Sequence, residues 1–374
     1  MFLCIYAAWV LSPVHGIGQS SVADQSASLI ASGDFVRPSN QPIIQPKPVS
    51  IFNCPMRHKQ IHWESTHTFN PAAVVKDGKV WLLYRAEDDQ GSGIGGFTSR
   101  LGLASSTDGI HFTRYPKPVL FPGNDSQKKN EWFGGCEDPR CVETEDGKFL
   151  VFYTEYSRDA GPTDTKLGMA ISQDLLHWDK LGPVVAHQQD GTTIIPPKSA
   201  SLLTSIKDGH LVATKILGKY WLYYGAGVIR LLSSPDLKHW DPVPGFTIEP
   251  RNGRFDSALA ECGPPAVLTP YGIVLLYNGM NAEGENRDPA IPPRSYVAGE
   301  LIMDPTDPSK VISRSTQPFF KPELGWEKTG QYRSGTTFIE GLVPFHQKWF
   351  LYYGSADQFV GVATADRLGP LGAQ

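Results

Sequence analysis

A short run of aromatic and branched residues, entered from a polar turn, recurs along the chain. It appears as Lys79–Tyr84 after Gly78, Lys148–Tyr153 after Gly147, Lys219–Tyr224 after Gly218, Ile273–Tyr277 after Gly272 and Lys348–Tyr353 after Gln347. Each run has strand length and falls short of an ordinary helix. A second element follows three of them: Asp108-Gly-Ile-His111-Phe112, Asp174-Leu-Leu-His177-Trp178 and Asp236-Leu-Lys-His239-Trp240, each after a serine-containing strand end. The aspartate suits a tight turn closed on its own backbone, and the aromatic that ends the element suits packing between adjacent sheets. Three or four short strands per roughly 60 residues, repeated from about residue 65 to about 365, predict an all-β chain folded as a five-bladed β-propeller. A β-sandwich does not generate self-similarity at that period.

Composition agrees with this pattern and narrows the chemistry. The 374 residues carry nine Trp, 14 Tyr and 18 Phe against five Met, a balance that suits pleated surfaces. A formal net charge of −4 leaves no basic footprint for nucleic acid. The five cysteines, Cys4, Cys54, Cys136, Cys141 and Cys262, form no C-x-x-C pair and no zinc-ligand spacing, so no metal is expected. Phe2 to Ser12 is apolar but too short to span a bilayer, and it fits the core of a signal peptide with Gly16 and Gly18 as small residues near a cleavage point. Residues 1–18 are therefore read as a signal for export, 19–60 as a leader that wraps or tethers, and 61–374 as the propeller.

In a propeller the first strand of each blade faces the central channel, so its opening residues converge at one mouth. Those openings are Phe69-Asn70-Pro71, Glu137-Asp138-Pro139-Arg140, Lys198-Ser199, Glu261-Cys262-Gly263-Pro264-Pro265 and Arg333-Ser334-Gly335. Charges at four of the five mark a ligand site, because packing alone does not require them there.

Gly135-Cys136-Glu137-Asp138-Pro139-Arg140 followed by Tyr153-Thr154, with Phe69-Asn70-Pro71 and Tyr352-Tyr353-Gly354-Ser355-Ala356-Asp357, resembles glycoside hydrolase family 130. The resemblance covers nearly all of the chain after residue 60. It implies a five-bladed propeller acting on β-mannosides with inversion, in some members by hydrolysis and in others by phosphorolysis, without a cofactor. It also implies a manno-oligosaccharide or glycan as the partner, Asp138 as catalytic acid, and Asn70, Arg85, Asp88 and Asp357 as ligands of the sugar at the cleavage point. Glu87-Asp88-Asp89 offers three carboxylates for one of those roles. An acid that donates its proton at neutral pH needs a raised pKa, which burial and carboxylate neighbours such as Glu137 supply.

An inverting hydrolase needs a second carboxylate to activate water, whereas a phosphorylase needs cations for phosphate. Glu261 stands where the resembling phosphorylases have a small uncharged residue, and it is the candidate base. Lys215, in Ala213-Thr214-Lys215, stands where a phosphate-binding lysine would, and Arg158 is a second candidate cation. The remainder of a phosphate cluster is missing from Tyr223-Tyr224-Gly225-Ala226-Gly227, so hydrolysis is the main expectation, phosphorolysis the alternative, and a non-catalytic carbohydrate-binding propeller a third reading. Gly91-Ser-Gly93-Ile-Gly-Gly96 matches a dinucleotide fingerprint in spelling only, since a strand pattern and not a helix follows it. His58, His62 and His67 lack ligand spacing, and Trp178 and Trp240 recur with the repeat and so belong to the core.

Overall fold

The computed structural model describes residues 35–158, 164–188 and 190–366; the expected signal segment, 1–18, lies outside them. Almost all regular structure is β, in five antiparallel meanders. The first runs through His67–Lys76, Lys79–Glu87 and Ser99–Ser106. The second comprises Gly135–Glu143, Phe149–Tyr156, Thr165–Ser172 and Asp179–Pro183. In the third, Ala200–Lys207 pairs with both His210–Ala213 and Tyr220–Tyr224, and Arg230–Ser234 follows. The fourth sets Leu259–Cys262 and Ala266–Thr269 on Gly272–Met280, then Tyr296–Asp304 and Asp307–Arg314. The fifth is Phe338–Phe345, Lys348–Ser355 and Phe359–Asp366.

The aromatic runs are the second strands of these meanders, and their unbroken apolar character has a simple cause: both faces are buried. In the first meander Val80, Leu82 and Tyr84 pack with Val343, Phe350 and Tyr352 of the fifth, while Leu83 packs with Val151 and Tyr153 of the second. Leu150 and Phe152 meet Leu202 and Leu222 of the third, whose Tyr223 and Leu231 meet Leu275 and Tyr277 of the fourth. Leu276 and Ile302 then meet Leu351 and Tyr353 of the fifth. Each second strand thus serves two inter-sheet cores, which is why its residues do not alternate with polar ones.

The turn elements form as their spacing predicts. Asp108, Asp174 and Asp236 each accept backbone N–H groups two and three residues on and sit 2.7 Å from the Nδ1 of His111, His177 and His239. Trp240 is fully buried and Trp178 packs partly buried at a core edge. Val36 and Ile44 bridge to Thr364 and Val360 on the outer edge of the fifth meander. Arg37 is clamped there to Glu327, with Nε 2.7 Å from Oε1.

Candidate active site

All five meanders contribute to a cavity of about 370 Å³. The first supplies Asn70, Arg85 and Glu87; the second Glu137, Asp138, Tyr156 and Thr165; the third is preceded by Lys198. The fourth supplies Glu261 and Tyr296, and the fifth Phe338 and Asp357. Three of these side chains are aimed by the same backbone device. Asn70 and Asp138 have φ of 48° and 46°, and each sits where the ladder to the second strand skips, between Phe69 and Pro71 and between Glu137 and Arg140. A bulge re-aims a side chain and interrupts the ladder locally, which tolerates Pro71 directly after the first bulge and Pro139 within the second. Asp357, also left-handed at 48°, lies in the turn between the last two strands of the fifth meander. Left-handed conformations outside glycine collect where the surrounding structure fixes a functional group.

Arg85 organises the acidic side of the cavity. Its Nη2 is 2.7 Å from Glu87 Oε1 and 2.8 Å from Glu137 Oε1, its Nη1 is 3.1 Å from Asp138 Oδ1, and its guanidinium lies 4.5 Å from the Phe69 ring centre. Asn70 Nδ2 donates to the same Asp138 oxygen at 2.8 Å. On the other side Lys198 Nζ is 3.1 Å from Glu261 Oε1 and 4.0 Å from Asp138 Oδ2. Ser199 Oγ donates to Glu261 Oε1. Arg140 lies behind, donating to the carbonyls of Asp138, Cys262 and Gly263. It also sits 2.8 Å from Glu340 Oε1 without hydrogen-bond alignment, so this buried pair joins the first strands of the second and fifth meanders, and the carbonyl bonds tie in the fourth.

Burial raises both Glu137 and Asp138, but their neighbours separate them. For Asp138 the Arg85, Lys198 and Arg140 charges and the Asn70 hydrogen bond outweigh burial and bring its pKa down to about 2. For Glu137 burial, opposed by Arg85 but reinforced by Asp138 and Glu87, prevails and pushes the carboxyl up to about 7. The adjacent pair therefore carries one proton across the interval between those values, and that proton rests on Glu137. This corrects the expectation of a raised pKa at Asp138: three cations act on it, and its carboxyl neighbour takes the proton. Asp357 is likewise raised to about 7, chiefly by burial, against the opposing charge of Arg85. Asn70 Oδ1 and Thr336 Oγ1 are buried beside the cavity without a partner among the described residues, an arrangement that hydroxyl groups of a ligand can satisfy.

Of the residues selected from sequence, Asn70, Arg85, Asp138, Glu261 and Asp357 meet in this cavity. Three do not. Asp88 is fully buried and points away, 2.9 Å from Arg100, and takes the N–H of Gln90; it fixes the loop after the second strand. Alternation along that strand puts Glu87, two residues from Arg85, on the cavity face. Lys215 is exposed, with Nζ 4.7 Å from the Tyr220 ring centre. That ring's hydroxyl bonds Glu145, just beyond Glu143 at the far end of the strand that opens with Glu137 and Asp138. Arg158 is spent on the carbonyls of Gly96 and Phe133 and on the Phe133 ring. Arg333 is absent from the lining, where Gln331, Tyr332 and Thr336 stand instead. Sequence reasoning also passed over Tyr156 and Tyr296, for which no spacing signal exists, and took Lys198 only as one of the charges marking the ligand site, where it does stand. His67, read as packing or surface, braces Glu87 at 2.7 Å. Among the described residues no cluster of His, Cys, Asp and Glu is arranged to hold a metal.

An acidic cavity with paired cations, a carboxyl that holds its proton at neutral pH and unpaired groups awaiting hydroxyls describes a carbohydrate site. The family model described as beta-1,4-mannooligosaccharide phosphorylase matches residues 36–368, and the chain belongs to glycoside hydrolase family 130. It is 34% identical over 333 residues to a 1,2-beta-oligomannan phosphorylase of Thermoanaerobacter sp. (strain X514), covering 88% of this chain and 96% of that one. A beta-1,2-mannobiose phosphorylase of the same strain is 30% identical, with 89% and 97% covered. A solved structure described by the words "the GH130 family of mannoside phosphorylases contains glycoside hydrolases that target beta-1,2 mannosidic linkages in Candida mannan" is 46% identical with a TM-score of 0.84, covering 91% of this chain and 96% of that one. A putative glycosidase from Bacteroides thetaiotaomicron is 48% identical with a TM-score of 0.85, covering 90% and 98%. The names of the curated relatives favour phosphorolysis over the hydrolysis expected from sequence.

Proposed function

We propose that this protein cleaves β-mannosidic linkages of manno-oligosaccharides by inverting hydrolysis, and that its five meanders are the blades of a five-bladed propeller around the catalytic cavity. The cyclic order of the inter-sheet cores supports the second statement. The charge of the cavity carries the first. Five carboxylates, Glu87, Glu137, Asp138, Glu261 and Asp357, line it against two cations, Arg85 and Lys198, and both cations already hold carboxylates. Two unit charges at about 4 Å interact by about 4 kcal/mol near a protein surface, so a phosphate dianion entering where acidic groups outnumber cations that are already paired meets net repulsion. Water does not.

In this reading Asp138 protonates the leaving oxygen with the proton that the Glu137–Asp138 pair retains, and Glu261 takes a proton from the attacking water. Water's oxygen forms the new bond to the anomeric carbon as the bond to the leaving sugar breaks. Asn70, Arg85 and Asp357 hold hydroxyls of the sugar at the cleavage point. The bridging lysine keeps both reacting carboxylates within reach of one ammonium. Phosphorolysis is the second reading, favoured by the names of the family model and of the two curated relatives; it would replace water by phosphate and leave Glu261 as a ligand. Glu261→Gln separates them. Hydrolysis requires the variant to lose turnover and to regain part of it with azide, giving an inverted glycosyl azide. Retained, phosphate-dependent release of mannose 1-phosphate would reject hydrolysis.

A further inference from the structure

Lys198 enters the expectations drawn from sequence only as one of the charges that mark a ligand site, yet its ammonium bridges both reacting carboxylates, 3.1 Å from Glu261 Oε1 and 4.0 Å from Asp138 Oδ2. It precedes Ser199, whose φ of 56° turns the chain just before the third meander and whose hydroxyl donates to the same Glu261 oxygen. Two successive residues thus converge on one carboxylate oxygen, and among the described residues no donor bonds the other. We propose that Lys198 is a positioning residue: with Ser199 it clamps one oxygen of Glu261, so that the second oxygen is presented, charged, to the water. This rests on Glu261 as base.

The other titratable groups facing Glu261 cannot do this. Tyr296 and Tyr332 line the same cavity as neutral phenols, Cys262 follows it in the strand as a buried thiol, and Glu340 and Asp138 are carboxyls. Arg140, which bonds the carbonyl of the next residue, Cys262, is committed to carbonyls and Glu340. Removing the ammonium leaves Glu261 among carboxyl, thiol and phenol groups, and an opposite charge at this range shifts a carboxyl by about one to three pH units.

The test is the pH profile of kcat/KM on β-1,2-mannobiose for Lys198→Met and Lys198→Arg, with the Kd of mannose measured by calorimetry. The acidic limb reports the base of the free enzyme. In Lys198→Met it is expected to move to higher pH by about one unit or more, with at least about tenfold lower kcat/KM on that limb. Lys198→Arg restores it, and mannose affinity stays within about threefold. Lys198→Gln, which keeps a polar donor without the charge, carries the same expectation if Met prevents folding. An unmoved acidic limb with mannose binding weakened tenfold would make Lys198 a sugar ligand and overturn the proposal. So would a raised KM for phosphate in an enzyme whose wild type needs phosphate. Full hydrolysis by Glu261→Gln would instead sink the base assignment, whichever way the Lys198 variants behave.

Discussion

Glu137→Gln removes one ionisable proton from the most crowded charge cluster in the protein while keeping the side chain's shape. Glu137 is 8% exposed and its carboxyl is raised from 4.5 to about 7. A shift of about 2.5 units corresponds to about 3 kcal/mol, a ceiling because Arg85 and cavity water relax toward the ionised form. Its folded-state pKa is raised, so the folded protein holds this proton more tightly than the unfolded chain. That stabilisation is complete below about pH 4.5 and is lost as pH rises to about 7. The variant has nothing to lose. Its stability relative to wild type should therefore climb between pH 4.5 and pH 8 by up to about 3 kcal/mol, which at about 2 °C per kcal/mol is roughly 6 °C in Tm. Asp357 titrates over the same range but is present in both proteins and cancels. Thermal melts at half-unit pH intervals read this difference directly. Activity supplies the second half of the prediction. Wild-type kcat/KM should fall as pH rises through about 7, where the pair loses its proton. In the variant Asp138 keeps its three cations and loses its carboxylate neighbour, so that limb moves to lower pH. A Tm difference that is flat with pH, together with an unmoved basic limb, would refute the shared-proton account.

Three further perturbations follow from the same geometry. Asp138→Asn should reduce turnover at least about 10²-fold while mannose still binds by calorimetry; unchanged activity would shift the acid to another residue. Arg37→Ala strips a partner from the fully buried Glu327 and should lower stability by about 3–5 kcal/mol in denaturant melts, since breaking a buried pair strands a charge. Gly354→Ala would set a Cβ 1.9 Å from Asn70 Oδ1 and 2.7 Å from Asn70 N. It should displace Asn70 from Asp138 and cut kcat/KM, which the same substitution at the open Gly284 should not do.

The repeat was legible because each second strand feeds two cores and so carries an apolar run unlike an ordinary half-exposed strand. The bulged openings were legible too, since Asn-Pro and Asp-Pro at strand starts have few other uses. Asp88 was chosen over Glu87 although strand alternation favours the residue two from Arg85; three adjacent carboxylates concealed that signal. Lys215 was misplaced because chain order does not say at which end of a strand a residue emerges. Tyr156, Tyr296, Gln331 and Tyr332 reach the cavity from a strand end, a strand start and a loop of three different meanders, and only packing brings them together. The division of one proton between Glu137 and Asp138 depends on Arg85, Lys198 and Arg140, which are separated from them by tens of residues or point from behind, and no local pattern records it.

The most direct measurement is a single reaction of the wild-type protein with β-1,2-mannobiose in ¹⁸O-labelled water, with and without inorganic phosphate, followed by mass spectrometry and by NMR of the first product anomer. Hydrolysis at this cavity predicts free mannose carrying one ¹⁸O, released first as the α-anomer, at a rate that phosphate does not raise. Unlabelled mannose 1-phosphate formed only when phosphate is present would contradict it.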